Sequence, residues 1–262
     1  MNFITTNHRG GLGNVIFKLS AVISMAIDNN VNYLFSKEYI RSVDPNYENY
    51  GDNILRNINF IDNLPDDFIT YNETQFKHQE INYVNGTNLL INGYFQSEKY
   101  FINNKQKIID TFKPTDEIIN QITNNIPNIN EYTSIHVRRG DYLHFPTHHP
   151  QQSMEYYRTA IDMIGIDKPF IIFSDDLDGV KEMFDFLPNK IFYTSGQDWL
   201  DLYTMSLCGN NIICNSTFSW WAAYLNPNKN KKVITTNKWF GSSNAHLNIS
   251  TLFPSEWIIL NK

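Results

Sequence analysis

An α/β fold built on mainly parallel sheets is predicted by two features of the chain. Strand-like and helix-like segments alternate through most of its 262 residues, the pattern of successive βαβ units whose right-handed crossovers run their strands parallel. The polar clusters of the second half each fall just after a strand, where an open parallel sheet holds its ligand.

The chain opens with a short strand, Phe3–Thr6, and a glycine turn, Gly10-Gly11-Leu12-Gly13. A helix follows over residues 14–27, with Val15, Ile16, Leu19, Val22, Ile23 and Ala26 on one face. Residues 31–35 read as a second strand, 88–93 as a buried strand and 97–111 as a helix, whereas 36–85 is aromatic and polar without a clear period. In the second half, strands are expected at 133–137, 170–173, 190–193, 211–214 and 232–235, and helices at 153–164, 178–186, 197–207 and 216–225. The Pro- and Asn-rich stretch 114–131 separates the halves, so two domains are expected, 1–125 and 126–262.

Composition narrows the function. Hydrophobic residues make up 42% and aromatics 15%, enough for a packed core rather than disorder. The formal net charge of −6 argues against nucleic acid or anionic membranes as general partners. It leaves room for a local basic pocket. No apolar run approaches the length of a membrane span, and the N-terminus lacks a basic-then-apolar leader. A cytoplasmic protein, or one peripheral to a membrane, is therefore expected. Cys208 and Cys214 are the only cysteines. No Cys/His set has zinc-ligand spacing, so they read as buried free thiols of a reducing compartment.

Four clusters carry candidate chemistry. In His136-Val137-Arg138-Arg139-Gly140-Asp141-Tyr142, two arginines at a strand end suit a diphosphate, because guanidinium donates paired, charge-assisted hydrogen bonds. Gly140 would let a ligand approach the backbone, and Asp141 could hold an arginine or act as a base. The alternative is an ordinary Arg–Asp ion pair on a loop. In Phe173-Ser174-Asp175-Asp176, a carboxylate could accept from guanine or bind a divalent metal, or simply cap the next helix. Asn215-Ser216-Thr217-Phe218-Ser219-Trp220-Trp221 opens a helix, and free N–H groups with added hydroxyls make a phosphate cradle. Capping is again the alternative, and the tryptophans read as core. The turn at Gly10–Asn14 could admit a ligand at Gly11 and Asn14, although it lacks the G-x-G-x-x-G dinucleotide pattern. His144, His148 and His149 read as solvent-exposed loop residues.

Taken in order, these segments resemble the α-1,2-fucosyltransferases, family 11 of the glycosyltransferases, from Gly10 to Phe240. The resemblance rests on the three second-half motifs, the last continuing through Leu225-Asn226-Pro227. It also rests on Gly93-Tyr94-Phe95-Gln96-Ser97-Glu98-Lys99-Tyr100-Phe101 and on the run from Asp201 to Cys208. The chain departs from the family pattern at Val15 and Lys18, where glutamine is usual, and at Ala222, where glycine is usual. The resemblance implies a GT-B-like fold, two Rossmann-like lobes with a cleft between them, residues 1–125 facing the acceptor and 126–262 binding GDP-fucose. It implies inverting transfer to a sugar hydroxyl, the 2-hydroxyl of a galactose, with no metal or other cofactor. By the same resemblance Arg138 would stabilise the leaving GDP and Arg139 would assist. His136 would place the nucleotide, Asp176 or else Asp175 would accept from guanine, and Ser216 and Thr217 would bind phosphate oxygens. Gly11 and Asn14 would lie toward the acceptor, and Asp141 is the first candidate for a base. A transferase of the same fold with another donor or linkage, and a non-catalytic sugar- or nucleotide-binding derivative, are the competing expectations.

Overall fold

Phe3–Thr6, completely buried, forms the inner strand β1 of the first of two compact units. The computed structural model describes residues 2–7, 10–38 and 47–261; residues 39–46 of the stretch left unparsed by sequence lie outside the described residues. The first unit comprises Met1–Lys113 and Asn248–Pro254, the second Pro114–Leu247 and Ser255–Lys262. The chain passes from the first unit to the second between Lys113 and Pro114, at the head of the Pro/Asn-rich stretch.

In the first unit, β1 is flanked by β2 (Asn32–Tyr33) and, across β3 (Phe35–Ser36), β4 (Phe60–Ile61) and β5 (Ile69–Asn72) in sequence, by β6 (Leu89–Asn92). The sheet order is β2-β1-β6-β5, and every pairing is parallel. The strand expected at 31–35 is broken in two. Leu34 N–H donates to Ile4 O at 3.2 Å, and the chain then leaves to pair β3 with β4. Helix α1, Leu12–Asp28, follows the glycine turn. Gly10 takes φ +94°, a left-handed conformation that favours glycine. The short helix α2, Tyr47–Gly51, lies in the unparsed stretch. The helix expected at 97–111 begins instead as two 3₁₀ turns, Glu98–Tyr100 and Ile102–Asn104, before α3, Lys105–Phe112. Phe101, buried and at φ −142° and ψ 13°, outside the helical region, interrupts it.

The second unit contains α4 (Asp116–Asn125), which sequence reasoning passed over. Thr115 caps it through Ile118 N–H at 3.4 Å, and Ile118 and Ile122 supply its buried face. Then come β7 (Thr133–Val137), α5 (Met154–Ile164), β8 (Phe170–Ser174), α6 (Leu177–Val180), β9 (Lys190–Phe192), α7 (Asp198–Leu207), β10 (Asn210–Ile212), α8 (Thr217–Leu225), β11 (Val233–Thr236) and β12 (Ile258–Leu260). The helix expected at 178–186 is only α6 and a 3₁₀ turn, Glu182–Phe184. The six strands run in the order β12-β11-β10-β7-β8-β9, all parallel. β7 comes first in sequence; β8 and β9 build outward on one side, β10 to β12 on the other. This is the doubly wound arrangement, with its reversal between β7 and β10. Alternate residues Ile135 and Val137 of β7 join Tyr156, Tyr157, Ala160 and Ile161 of α5 in the core. Trp220 and Trp221 are fully buried, as expected of core residues. Among the described residues no helix is long and apolar enough to cross a membrane.

Candidate functional site

The strand order makes the carboxyl ends of β7 and β10 the two sides of the reversal, where sheets of this kind hold ligands. Arg138 and Arg139 leave β7 there, Asp175 and Asp176 leave the neighbouring β8, and Ser216 leaves β10. Five of the expected residues meet. Asp141 Oδ1 accepts from Arg138 Nε at 3.0 Å and lies 2.9 Å from its second terminal nitrogen. Asp175 Oδ2 lies 3.1 Å from Arg138's other terminal nitrogen, and Asp175 Oδ1 accepts from Arg139 N–H at 2.8 Å. Asp176 Oδ2 accepts from Arg139 Nε at 2.9 Å, and its Oδ1 caps α6 through Gly179 N–H at 3.0 Å. Partly exposed pairs of this kind add on the order of 1 kcal/mol or less to stability. Their meaning is geometric: two guanidiniums are aimed and held at one strand end. Gly140 also makes room for a neighbouring side chain. A Cβ there would fall 2.3 Å from Asp175 Oδ2, so the glycine leaves space for that carboxylate.

The electrostatics follow from burial and these partners. Burial pulls the Arg138 pKa down, but Asp175 and Asp141 more than offset it and leave it raised. Asp176 is held below the usual carboxylate range by Arg139 and by the Gly179 amide.

His136 is not part of this group. Its ring is buried, with Nδ1 3.2 Å from Cys214 Sγ and the ring tilted toward Phe218 at 5.5 Å. Its carbonyl accepts from Tyr157 OH at 3.2 Å. Burial, and then the Arg138 charge, push its pKa down to about 3, so the imidazole is neutral. Burial also pushes the Cys214 thiol up to about 12, so burial favours the neutral form of both neighbours. Both cysteines are free and buried. Ser216 occupies the N-cap position of α8 with its side chain uncommitted to the cap, and Thr217 is the first helical residue. The first N–H groups of such a helix have no intrahelical acceptor.

Gly11 and Asn14 belong to the first unit, at the start of α1. Gly11 O accepts from Asn14 N–H at 2.9 Å, and Asn14 Oδ1 accepts from Gln96 Nε2 at 2.9 Å. One turn on, the departure residue Lys18 is buried, with Nζ 3.4 Å from Asn7 Oδ1 and 5.0 Å from the Tyr94 ring centroid. Glu73 accepts from the Tyr94 and Phe95 amides at 2.7 and 3.1 Å and shapes the turn after β6. A cavity of about 390 Å³ in this unit lies against the C-terminal half of α1; Lys99 and Tyr100 of the Gly93–Phe101 run line it, but none of the candidate site residues does.

Sequence reasoning missed the places of His149 and Gln152 at the second-unit site, and the role of Asn215 within its run. His149, expected to be exposed, is half-buried and stacks on Tyr142, with centroids 4.9 Å apart and planes at 18°. Gln152 and Asn215 form a buried amide pair, Nε2 to Oδ1 at 2.8 Å. No local pattern marks Gln152, since its two shorter hydrogen bonds go to partners 63 and 86 residues away. Among the described residues no three of His, Cys, Asp and Glu are arranged to hold a metal ion; Asp175 and Asp176, whose adjacency suggested one, face arginines.

Fold and site together define a doubly wound α/β protein with a fixed arginine pair and a helix start at its strand reversal. The description "Glycosyl transferase family 11" matches residues 3–261, and the chain belongs to that family. It is 34% identical over 185 residues to the O-antigen biosynthesis glycosyltransferase WbnK of Escherichia coli, covering 64% of this chain and 59% of that protein. It is 30% identical over 183 residues to an Escherichia coli alpha-1,2-colitosyltransferase, covering 65% and 62%. The match therefore spans about three fifths of the length of these relatives. Among solved structures, NodZ alpha-1,6-fucosyltransferase of Bradyrhizobium, soaked with GDP-fucose, shares the fold at a TM-score of 0.50 and 16% identity, covering 91% of this chain and 96% of that one.

Proposed function

We propose that the chain is an inverting glycosyltransferase that moves L-fucose from GDP-fucose to the 2-hydroxyl of a galactose. The observation that carries this reading is Arg138, held between Asp141 and Asp175 at the strand reversal, in a member of glycosyltransferase family 11. In the reaction the bond from the fucosyl anomeric carbon to the β-phosphate oxygen breaks. The acceptor oxygen bonds that carbon from the opposite face while its hydroxyl proton is given up, to Asp141 as the candidate base, and GDP departs. Negative charge grows on the β-phosphate, where a preorganised donor contributes most. Arg138 meets that charge, with Arg139 beside it and Ser216 and Thr217 supplying donors at the positive end of α8.

Asp176 accepts from guanine in this reading, with Asp175 as the alternative. A carboxylate has about four acceptor sites, so Asp176 can keep its cap while doing so. Asp141 aims Arg138; to take a proton it must first leave that pair. His136 acts through β7 and Phe218, since its ring is enclosed. The second unit is the nucleotide-binding part and the first, with Gly11 and Asn14, the acceptor side. No divalent metal is needed in this reading, because Arg138, Arg139 and the start of α8 at Ser216 supply the charge that meets the departing diphosphate. The buried free thiols fit a reducing cytoplasm.

Incubation with GDP-fucose and a panel of galactosides, read by mass, tests the reading. A gain of one fucosyl unit is expected. GDP binding without product on any acceptor would make the chain a binding protein instead. A second reading, transfer of a different sugar, is favoured by the colitosyltransferase name of one relative. Profiling other GDP-linked sugars separates the two.

A further inference from the structure

Three loops follow the carboxyl ends of β7, β10 and β11, and one buried side chain joins them. Asn215 Nδ2 donates to Pro150 O at 3.0 Å and to Trp239 O at 3.1 Å. Its Oδ1 accepts from Gln152 Nε2 at 2.8 Å, and its main-chain oxygen accepts from Tyr142 OH at 2.7 Å. Gln152 Nε2 also donates to Lys238 O at 3.1 Å. The orientation of both amides follows from chemistry. Each Nδ2 or Nε2 faces oxygens, which a reversed amide would repel. Asn215 is 2% and Gln152 7% exposed, so neither is placed to touch a ligand.

What this amide pair controls is set by its two outlets. Through Tyr142 it reaches Arg138, whose guanidinium lies 5.8 Å from the Tyr142 ring centroid. Along the chain it reaches Ser216, the start of α8. A diphosphate held by both groups tolerates little error in their separation, since positioning faults of about 1 Å cost on the order of 100-fold in rate.

We propose that Asn215, braced by Gln152 and Tyr142, is a positioning residue that sets the separation between Arg138 and the helix start at Ser216. The inference rests on the reading of those groups as the donor-diphosphate site. A residue that merely stabilises the fold would weaken GDP binding by the same factor whatever stands at 138. A positioning residue acts only through the groups it places.

The test is a double-mutant cycle on GDP affinity, measured by calorimetry with thermal melts alongside. Asn215→Asp keeps the shape but turns an oxygen toward the Pro150 and Trp239 carbonyls. It is expected to weaken GDP binding by about 10-fold or more, the usual scale for a lost supporting contact. In an Arg138→Lys background the same change is expected to cost under about 3-fold, because the pair it serves is already disrupted. Should Asn215→Asp fail to fold, Tyr142→Phe removes one hydrogen bond and keeps the ring, and its smaller loss is likewise expected to shrink in the Arg138→Lys background. Equal losses in both backgrounds, or unchanged GDP affinity, overturn the positioning role while leaving the donor site standing. An unsubstituted chain that binds no GDP overturns both.

Discussion

Arg138 shows how much one residue at a strand end depends on its neighbours. Lysine in its place keeps the charge but cannot serve Asp141 and Asp175 together while facing a phosphate, because it lacks the planar fork. Arg138→Lys is expected to lower kcat by about 100-fold or more, with the melting temperature little changed. Near-normal turnover in the folded variant would remove Arg138 from the reaction. His136 carries a different consequence. Its folded pKa of about 3 lies well below the value near 6.5 of a free histidine. Between those pH values the unfolded chain holds a proton that the folded chain does not. Stability from the neutral ring is therefore complete above about pH 6.5 and is lost as pH falls toward 3, by up to ~1.4 kcal/mol per pH unit. Urea midpoints of the unsubstituted chain and His136→Phe, compared from pH 7 to 4, should converge at the acid end by this amount. Parallel curves would show that some other group sets the acid limit. Both residues were legible as a motif, since strand, arginines and glycine are contiguous in sequence. Asn215 was visible only as part of a run, and its partner Gln152 not at all.

At the scale of elements, α6 tests a choice that sequence left open. Asp176 is the cap of that short helix and also the candidate guanine acceptor. Calorimetry of Asp176→Ala and Asp175→Ala with GDP separates the two. A loss of affinity for Asp176→Ala is expected, and unchanged affinity in both variants would leave Asp176 as a cap alone. The loops after β7 and β11 are joined more closely than either strand suggests. Gly241 N–H donates to His148 O at 2.9 Å, and a Cβ at 241 would fall 2.3 Å from Thr147 O. Backbone cannot yield as a side-chain tip does, so Gly241→Ala is expected to destabilise by roughly 1–3 kcal/mol. An unchanged urea midpoint would mean that this junction is looser than its geometry. Sequence found the long periodic elements and misjudged the short ones for identifiable reasons. β12 is only three residues at a sheet edge, α4 hides in an asparagine-rich stretch, and the helix expected at 97–111 is interrupted by a buried phenylalanine whose place is fixed by tertiary packing.

At the scale of the whole molecule, all three described sheets are parallel, as the alternation of elements predicted. The stretch 36–85 stayed unreadable because its described strands have two to four residues each, too few to show a period. The charge arrangement also has a bearing on the whole reaction. With arginines facing the aspartates, transfer is expected to persist in excess EDTA after metal has been stripped from the protein. Activity lost there and restored by Mn²⁺ or Mg²⁺ would reassign Asp175 and Asp176 as metal ligands. The division of the chain has a further consequence for synthesis. Residues 248–254 belong to the first unit, where Thr251 accepts from His78 N–H at 2.7 Å and from the Ser97 hydroxyl, while 255–262 return to the second and supply β12. A ribosome must therefore deliver almost the entire second unit before the first can close, so the usual order of amino-terminal domain first is denied to this chain. A nascent chain stalled at Leu247 would leave both units unfinished, with His78 and Ser97 lacking their partner and β11 left as an open edge.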